Sequence, residues 1–216
     1  MINFLPRLIT GVVYISLVAG SILYSSKSFT LIFSLLMLIA IYESNVLWEK
    51  IRLKNPEYNY PIPQAYVVLS MTTLILVPFY FSNSYNPYPI LLIFILIWIS
   101  DTMSYFFGSY FGNTKMKIKV SPNKTWEGFI GGFLCCLMFS IISFSYIQEI
   151  YPFWKTISLG ILIPLFGLIG DIYQSKLKRM AGVKDSGSIL PGHGGIFDRL
   201  DSAMGVSFIS FLITIL

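Results

Sequence analysis

Long apolar runs alternate with short polar breaks along the whole chain. The runs lie roughly at 6–25, 29–48, 64–82, 89–110, 128–149, 155–173 and 200–216. Several approach or exceed the about 20 residues that an α-helix needs to cross a hydrocarbon core. The pattern predicts an all-α, polytopic transmembrane helical bundle of seven spans. Residues 1–88 would supply three spans and residues 89–216 the other four, with two charged loops. Short, nearly uncharged turns follow the first, third and fifth spans: Ser25 to Ser28, Ser82 to Tyr88, and Glu149 to Trp154. Longer charged segments follow the second, fourth and sixth.

Placing the basic residues on this pattern orients it. With the N-terminus in the cytoplasm, one side receives Arg7, Lys50, Arg52, Lys54, Lys115, Lys117, Lys119, Lys124, Lys176, Lys178, Arg179, Lys184 and Arg199. The other side receives only Lys27 and Lys155. Basic residues gather on the cytoplasmic side of membrane proteins, so an N-in, C-out topology is expected. Tyr24, Trp48, Tyr80, Tyr85, Tyr88, Tyr151 and Trp154 fall near the predicted span ends, where amphipathic rings act as interfacial anchors.

Composition agrees with the pattern. The chain is 55% hydrophobic and 12% charged, with a mean hydropathy of +0.72. A soluble domain of this length needs far more polar surface. Cys135 and Cys136 are adjacent in an apolar run and point in different directions on a helix, so they read as small apolar side chains without a disulfide. No A-x-A-like site ends the first run, which reads as a retained helix. Gly128, Gly131 and Gly132 open the fifth span and suit close helix contact. A secondary transporter would show internal repeats with paired broken helices, and none is visible.

The polar residues that remain are concentrated. The stretch 170–201 holds four of the ten carboxylates, five of the fifteen Lys and Arg residues and the single His. On a 3.6-residue period Ser175 and Lys178 share a face with Asp171. Lys184 and Asp185 follow a break at Gly182, and His193 is flanked by Gly192, Gly194 and Gly195. Glycines there let backbone N–H groups approach an anion. Asp198 and Asp201 lie three apart on one helical face, with Arg199 between them. His193 has no His or Cys company for zinc; it suits a phosphate donor, an acid/base or a loop-shaping hydrogen bonder.

Two further polar features lie outside this stretch. Asp101 lies inside the fourth span, where an ionised group facing lipid is costly, so it must face the bundle interior and find a partner. In the loop 112–127, Lys115, Lys117 and Lys119 alternate with apolar residues, as in a short amphipathic strand or a stretch lying on anionic headgroups. Asn123 and Lys124 belong to a turn-rich cluster before a helix start, where a phosphate can be held. Carboxylates, cations and a glycine-rich loop together suit Mg²⁺ and a polyphosphate.

The run from Ser175 through Lys178, Arg179, Lys184, Asp185, Gly194, Gly195, Asp198 and Arg199 to Asp201 resembles the signature of the phosphatidate cytidylyltransferases, or CDP-diacylglycerol synthases. Ser100-Asp101-Thr102, Tyr105 to Gly108, and Ser121 to Gly128 look like the same family's second block. The two blocks cover 100–132 and 170–202; the first three spans match in character only.

The resemblance implies a Mg²⁺-dependent membrane enzyme, with or without a second cation, that makes CDP-diacylglycerol and pyrophosphate from CTP and phosphatidate. It implies a multi-pass protein of the cell (inner) membrane with its site on the cytoplasmic face, a homodimer among membrane lipids, and no nucleic acid partner. Asp171 and Asp198 would bind metal and act in catalysis with Lys178, Arg179 and Asp201, the last a weaker third carboxylate. Asp101, Asn123, Lys124, Ser175, Lys184, Asp185, His193, Gly194, Gly195 and Arg199 would bind substrate. The position before Ser175 is often Glu in the family and is Gln174 here, which puts a metal role there in doubt. The chain is shorter than many members; the missing part is expected to be N-terminal, away from both motifs, with activity retained.

Overall fold

The computed structural model describes residues 4–57, 60–80, 84–189 and 194–216, with side chains from Ile9 onward. Eight α-helices account for most of it: α1 Phe4–Tyr24, α2 Ser26–Lys54, α3 Ile62–Leu76, α4 Pro87–Phe111, α5 Trp126–Ile147, α6 Phe153–Ala181, α7 Ile196–Arg199 and α8 Asp201–Ile215. A 3₁₀ turn, Val77–Phe79, extends α3. By length and composition α2, Ile62–Phe79, α4, α5 and α6 can cross a membrane, and Ile9–Tyr24 and α8 are shorter apolar helices.

Local chemistry sets the helix ends. Ser25 alone separates α1 from α2, and its hydroxyl and that of Ser28 cap each other's backbone N–H groups at 3.1 and 3.0 Å. Asn86 and Thr125 cap α4 and α5 through their side-chain oxygens. Gly182 closes α6 in the left-handed conformation, with φ of 75°, which costs a residue without Cβ nothing. Two helices outrun the apolar runs that predict them. α2 continues through the charged residues to Lys54, and α6 runs past residue 173 to Ala181, so Ser175, Lys178 and Arg179 are helical.

The tightest pairs are α4 with α5 and α6 with α8. A Cβ at Gly132 would overlap the Ser104 hydroxyl and come 2.7 Å from the Ser100 carbonyl. A Cβ at Gly170 would come 2.7 Å from the Gly205 Cα. Small residues thus bring backbones together, as is usual where lipid removes any hydrophobic drive between helices. Phe29, Phe33, Phe94, Met71 and Ile93 fill the space among α2, α3 and α4, with Phe33 edge-on to Phe94 at 5.5 Å. On α5, Ile130, Leu134, Met138 and Ile141 form an outward stripe, each more than half exposed. Such a stripe suits lipid and not water.

Two of the expected interfacial anchors are core residues. Tyr151 is fully buried with its hydroxyl 2.7 Å from Thr214 Oγ1, and Trp48 is 6% exposed. A ring at a helix end packs inward when a neighbouring helix supplies a partner for its polar atom, and span position alone does not reveal that. Lys155 is likewise buried and donates to the Thr214 carbonyl at 2.9 Å, satisfying the end of α8. The lysine-rich stretch 115–119 forms no strand. One bridge joins Lys115 to Thr125, and Lys117 turns the chain at φ of 56°.

Candidate active site

Asp101 on α4, Asn123 and Lys124 before α5, Asp171 on α6, and Asp198, Arg199 and Asp201 around α7 and the start of α8 line one cavity of about 840 Å³. The Gly170–Gly205 approach holds the α6 and α8 ends of this set together, and the α4–α5 contact holds the other half. Thr10, Gly11, Tyr14 and Ile15 of α1 and Phe94, Ile97 and Trp98 of α4 line the same cavity. Its wall therefore combines charged and apolar side chains.

Asp171 carries the central charge. Its Oδ2 lies 2.5 Å from Lys124 Nζ, and its Oδ1 accepts from the Ser175 hydroxyl one turn on, at 3.2 Å. Asp101 is exposed to the cavity and accepts from the Ser202 hydroxyl of α8 at 3.2 Å. Asp201 Oδ1 accepts from the Ser202 backbone N–H at 2.8 Å. Three carboxylates thus share a cavity with Lys124 and Arg199.

Asp198 differs: it is 7% exposed and engaged at both oxygens. Lys178 Nζ donates to Oδ1 at 2.8 Å. The Ser186 N–H at 2.8 Å, its hydroxyl at 2.9 Å and the Gly195 N–H at 2.9 Å all reach Oδ2. Burial pushes the Asp198 carboxyl's pKa up, but the Lys178 hydrogen bond, the Gly195 amide, the Lys178 charge and the Ser186 amide outweigh it and hold the pKa below the ordinary carboxylate value. Asp198 therefore ties the loop after α6 to α7 and neutralises Lys178. A cation could reach its Oδ1 only where Lys178 gives way.

Other expected residues stand apart from the cavity. Ser175 and Lys178 adjoin it through Asp171 and Asp198. Arg179 turns away and donates to the Val183 carbonyl at 3.0 Å. Lys184 and Asp185 are exposed on the loop and do not line the cavity. Gly194, at φ of 82°, and Gly195 pack against Asp198 and the loop. His193 lies outside the described residues. Among the described residues no group of three His, Cys, Asp or Glu side chains closes around a metal-sized point.

Sequence reading missed Glu43 of α2 and Ser186. Glu43 is 2% exposed and accepts from the Phe197 N–H at 2.8 Å, the Ser186 hydroxyl at 3.0 Å and the Ile196 N–H at 3.3 Å. The signal that singles out Asp101, a carboxylate inside an apolar run, applies equally to Glu43.

The apolar helices and the charged cavity among them define a multi-pass membrane protein built around a carboxylate- and cation-lined pocket. The chain belongs to the cytidylyltransferase family, which it matches over residues 62–216. It is 44% identical over 128 residues to a phosphatidate cytidylyltransferase of Staphylococcus haemolyticus, covering 59% of this chain and 49% of that one. Similar enzymes of Staphylococcus aureus and Staphylococcus saprophyticus are 44% identical over 128 residues and 42% over 127. Each of these also aligns over 59% of this chain and 49% of its own. The chain thus spans about half the length of the relatives it matches.

Proposed function

We propose that the chain is a membrane nucleotidyltransferase that joins CTP and phosphatidate to give CDP-diacylglycerol and pyrophosphate. The observation that carries this reading is a cavity that gathers Asp101, Lys124, Asp171 and Arg199 together with Ile15, Phe94, Ile97 and Trp98. A nucleotide triphosphate needs the first and an acyl chain needs the second. Family membership and the names of the relatives support the same substrates.

In this reading a phosphate oxygen of phosphatidate attacks the α-phosphorus of CTP. The new P–O bond forms as the bond to the β-phosphate breaks, and pyrophosphate leaves. Lys124 and Arg199 neutralise phosphate oxygens, and electrostatic stabilisation of this kind is the main help that phosphoryl-type transfer needs. Asp198 keeps Lys178 and the loop 184–189 in place beside them. Asp101, Asp171 and Asp201 each offer carboxylate oxygens to the cavity, and Mg²⁺, a hard cation, needs only one or two of them plus water and phosphate. Asp171 would be the main ligand, with Asp201 beside it and Asp198 joining once Lys178 releases Oδ1. Bound there, Mg²⁺ would supply charge neutralisation on the polyphosphate.

The same reading takes α1 to α6 and α8 as seven spans, N-in and C-out, with residues 1–88 as the N-terminal part and 89–216 as the catalytic part. It places the cavity on the cytoplasmic face of the cell (inner) membrane and the working form as a homodimer. The test is transfer of label from [α-³²P]CTP into chloroform-extractable lipid by purified protein, with phosphatidate and with or without Mg²⁺. Metal- and phosphatidate-dependent label, with equimolar pyrophosphate, is the expected result. Label with a polyprenol acceptor and none with phosphatidate would keep the site and replace the substrate.

A further inference from the structure

α2 lies before the family-matched residues, yet it touches the loop that joins α6 to α7 at both of its ends. At one end the Glu43 carboxylate meets the first two N–H groups of α7, those of Ile196 and Phe197, and the Ser186 hydroxyl. At the other, Lys54 Nζ donates to the Ala181 carbonyl at 3.1 Å, where α6 stops. The two contacts are separated by about 16 Å of helix, at about 1.5 Å per residue.

Ser186 connects this arrangement to the cavity. Its hydroxyl lies 3.0 Å from Glu43 Oε2 and 2.9 Å from Asp198 Oδ2, so the two carboxylates share its one proton. The fit is close: a Cβ at Gly195 would overlap both Glu43 and the Ser186 hydroxyl, and one at Gly187 would overlap Glu43. Among the described residues Glu43 has no ion-pair partner. Burying an acidic group is costly unless donors meet it, and here two amides do, with a share of the Ser186 hydroxyl. An apolar side chain could fill the space between α2 and the loop, but it would leave the buried Ile196 and Phe197 amides without an acceptor. What the carboxylate adds is a fixed direction for the Ile196 and Phe197 amides, and hence for Asp198 and Arg199, which follow in the same turn.

We propose that Glu43 is a positioning residue for the transfer reaction, bracing α7 and, through Ser186, Asp198, with Lys54 as the outer end of the same brace. Its kinetic consequences rest on the cytidylyl-transfer reading; the brace itself does not.

The test uses the full chain in lipid nanodiscs, as wild type, E43A, E43Q and K54M. Amide hydrogen exchange and steady-state transfer kinetics are measured together. In E43A, exchange at Ser186 and 195–197 should rise by about tenfold or more while α4 and α5 keep wild-type protection. The kcat should fall by about tenfold or more, with KM for CTP within about threefold, since Lys124 and Asp171 are untouched. E43Q, which keeps one acceptor oxygen and the side-chain volume, should fall between the two and covers the case in which E43A fails to fold. K54M should raise exchange only near 181–184. Unchanged loop exchange in both Glu43 variants would overturn the brace. Protection lost evenly across all helices would make Glu43 a plain packing residue. Raised loop exchange with wild-type kcat would overturn the positioning role. A wild-type chain inactive on CTP and phosphatidate would count against the reaction, while the exchange result would still decide the brace.

Discussion

Lys124 Nζ lies 2.5 Å from Asp171 Oδ2, which fastens the loop after α4 to α6 directly over the cavity. Both side chains are 26% exposed, and pairs with that much water around them contribute about 1 kcal/mol or less to stability. In the proposed reaction their value lies in what each would do once substrate draws the other away.

The Lys124→Met variant should therefore fold and melt like the wild type, while kcat/KM for CTP falls by about 10²-fold, a loss of roughly 2.7 kcal/mol. Asp171→Asn should abolish turnover with the protein still inserted. Thermal melts beside initial rates check both, and a K124M enzyme with normal kcat/KM would remove Lys124 from the site.

Asp198 and Lys178 form a pair of the other kind, with side chains 5% and 11% exposed. Asp198→Asn leaves a buried ammonium without its counter-charge and should cost about 3–5 kcal/mol. Adding Lys178→Met should recover most of that stability and none of the activity. Denaturant or thermal unfolding compared with transfer rates separates the two effects; near-normal rates in D198N would sink the catalytic assignment.

The pKa of Asp198 gives a pH signature. A carboxyl held below its ordinary value stabilises the fold fully above that value, about 3.9, and the contribution is lost as pH falls through the depressed native value. Loop exchange or proteolysis in 184–189 should thus stay low from neutral pH down to about 4 and rise below it in the wild type. D198N should show a raised baseline without that acid-dependent rise.

The helix crossing beneath the site can be probed without touching its polar residues. In Gly170→Ala the new methyl would come 2.5 Å from the Asp201 carbonyl and 2.7 Å from the Gly205 Cα, both backbone atoms that cannot swing aside. Overpacking of this sort costs about 1–3 kcal/mol, and here it also separates Asp171 from Asp201, so activity should fall further than stability. Gly20→Ala, where nothing lies within 4 Å, is the control and should gain up to about 1 kcal/mol with unchanged activity.

Apolar run length made the helices legible, because lipid leaves the backbone few alternatives. It misplaced the ends of α2 and α6, where charged residues continue the helix past the apolar run; hydropathy stops at Trp48 or Tyr173, but hydrogen bonding does not. Asp171 and Asp201 could be grouped from residue type and position, whereas Asp101 and Lys124 joined them only through the family resemblance. Arg179 could not be separated from Lys178 in the same way. Both are polar neighbours in a motif, and only the helix rotation turns one toward Asp198 and the other toward Val183. Glu43 stands inside an apolar run as Asp101 does, but two of its three partners are backbone amides, so the sequence marks the carboxylate and not what it holds.

The pairing of a long α6 with a short α8 sets the depth at which chemistry occurs. α8 has fifteen residues, and at about 1.5 Å per residue it is roughly 22 Å long, against about 30 Å of hydrocarbon. Its far end is level with the start of α6, held there by Tyr151 and Lys155 on Thr214. On the seven-span reading Asp201 then sits about 8 Å below the headgroup plane, on the floor of a wet pit. In the proposed reaction a phosphate would have to sink to be reached. Acceptors tethered by acyl chains can be held at that level, while a freely diffusing phosphate ester has no anchorage to keep it down.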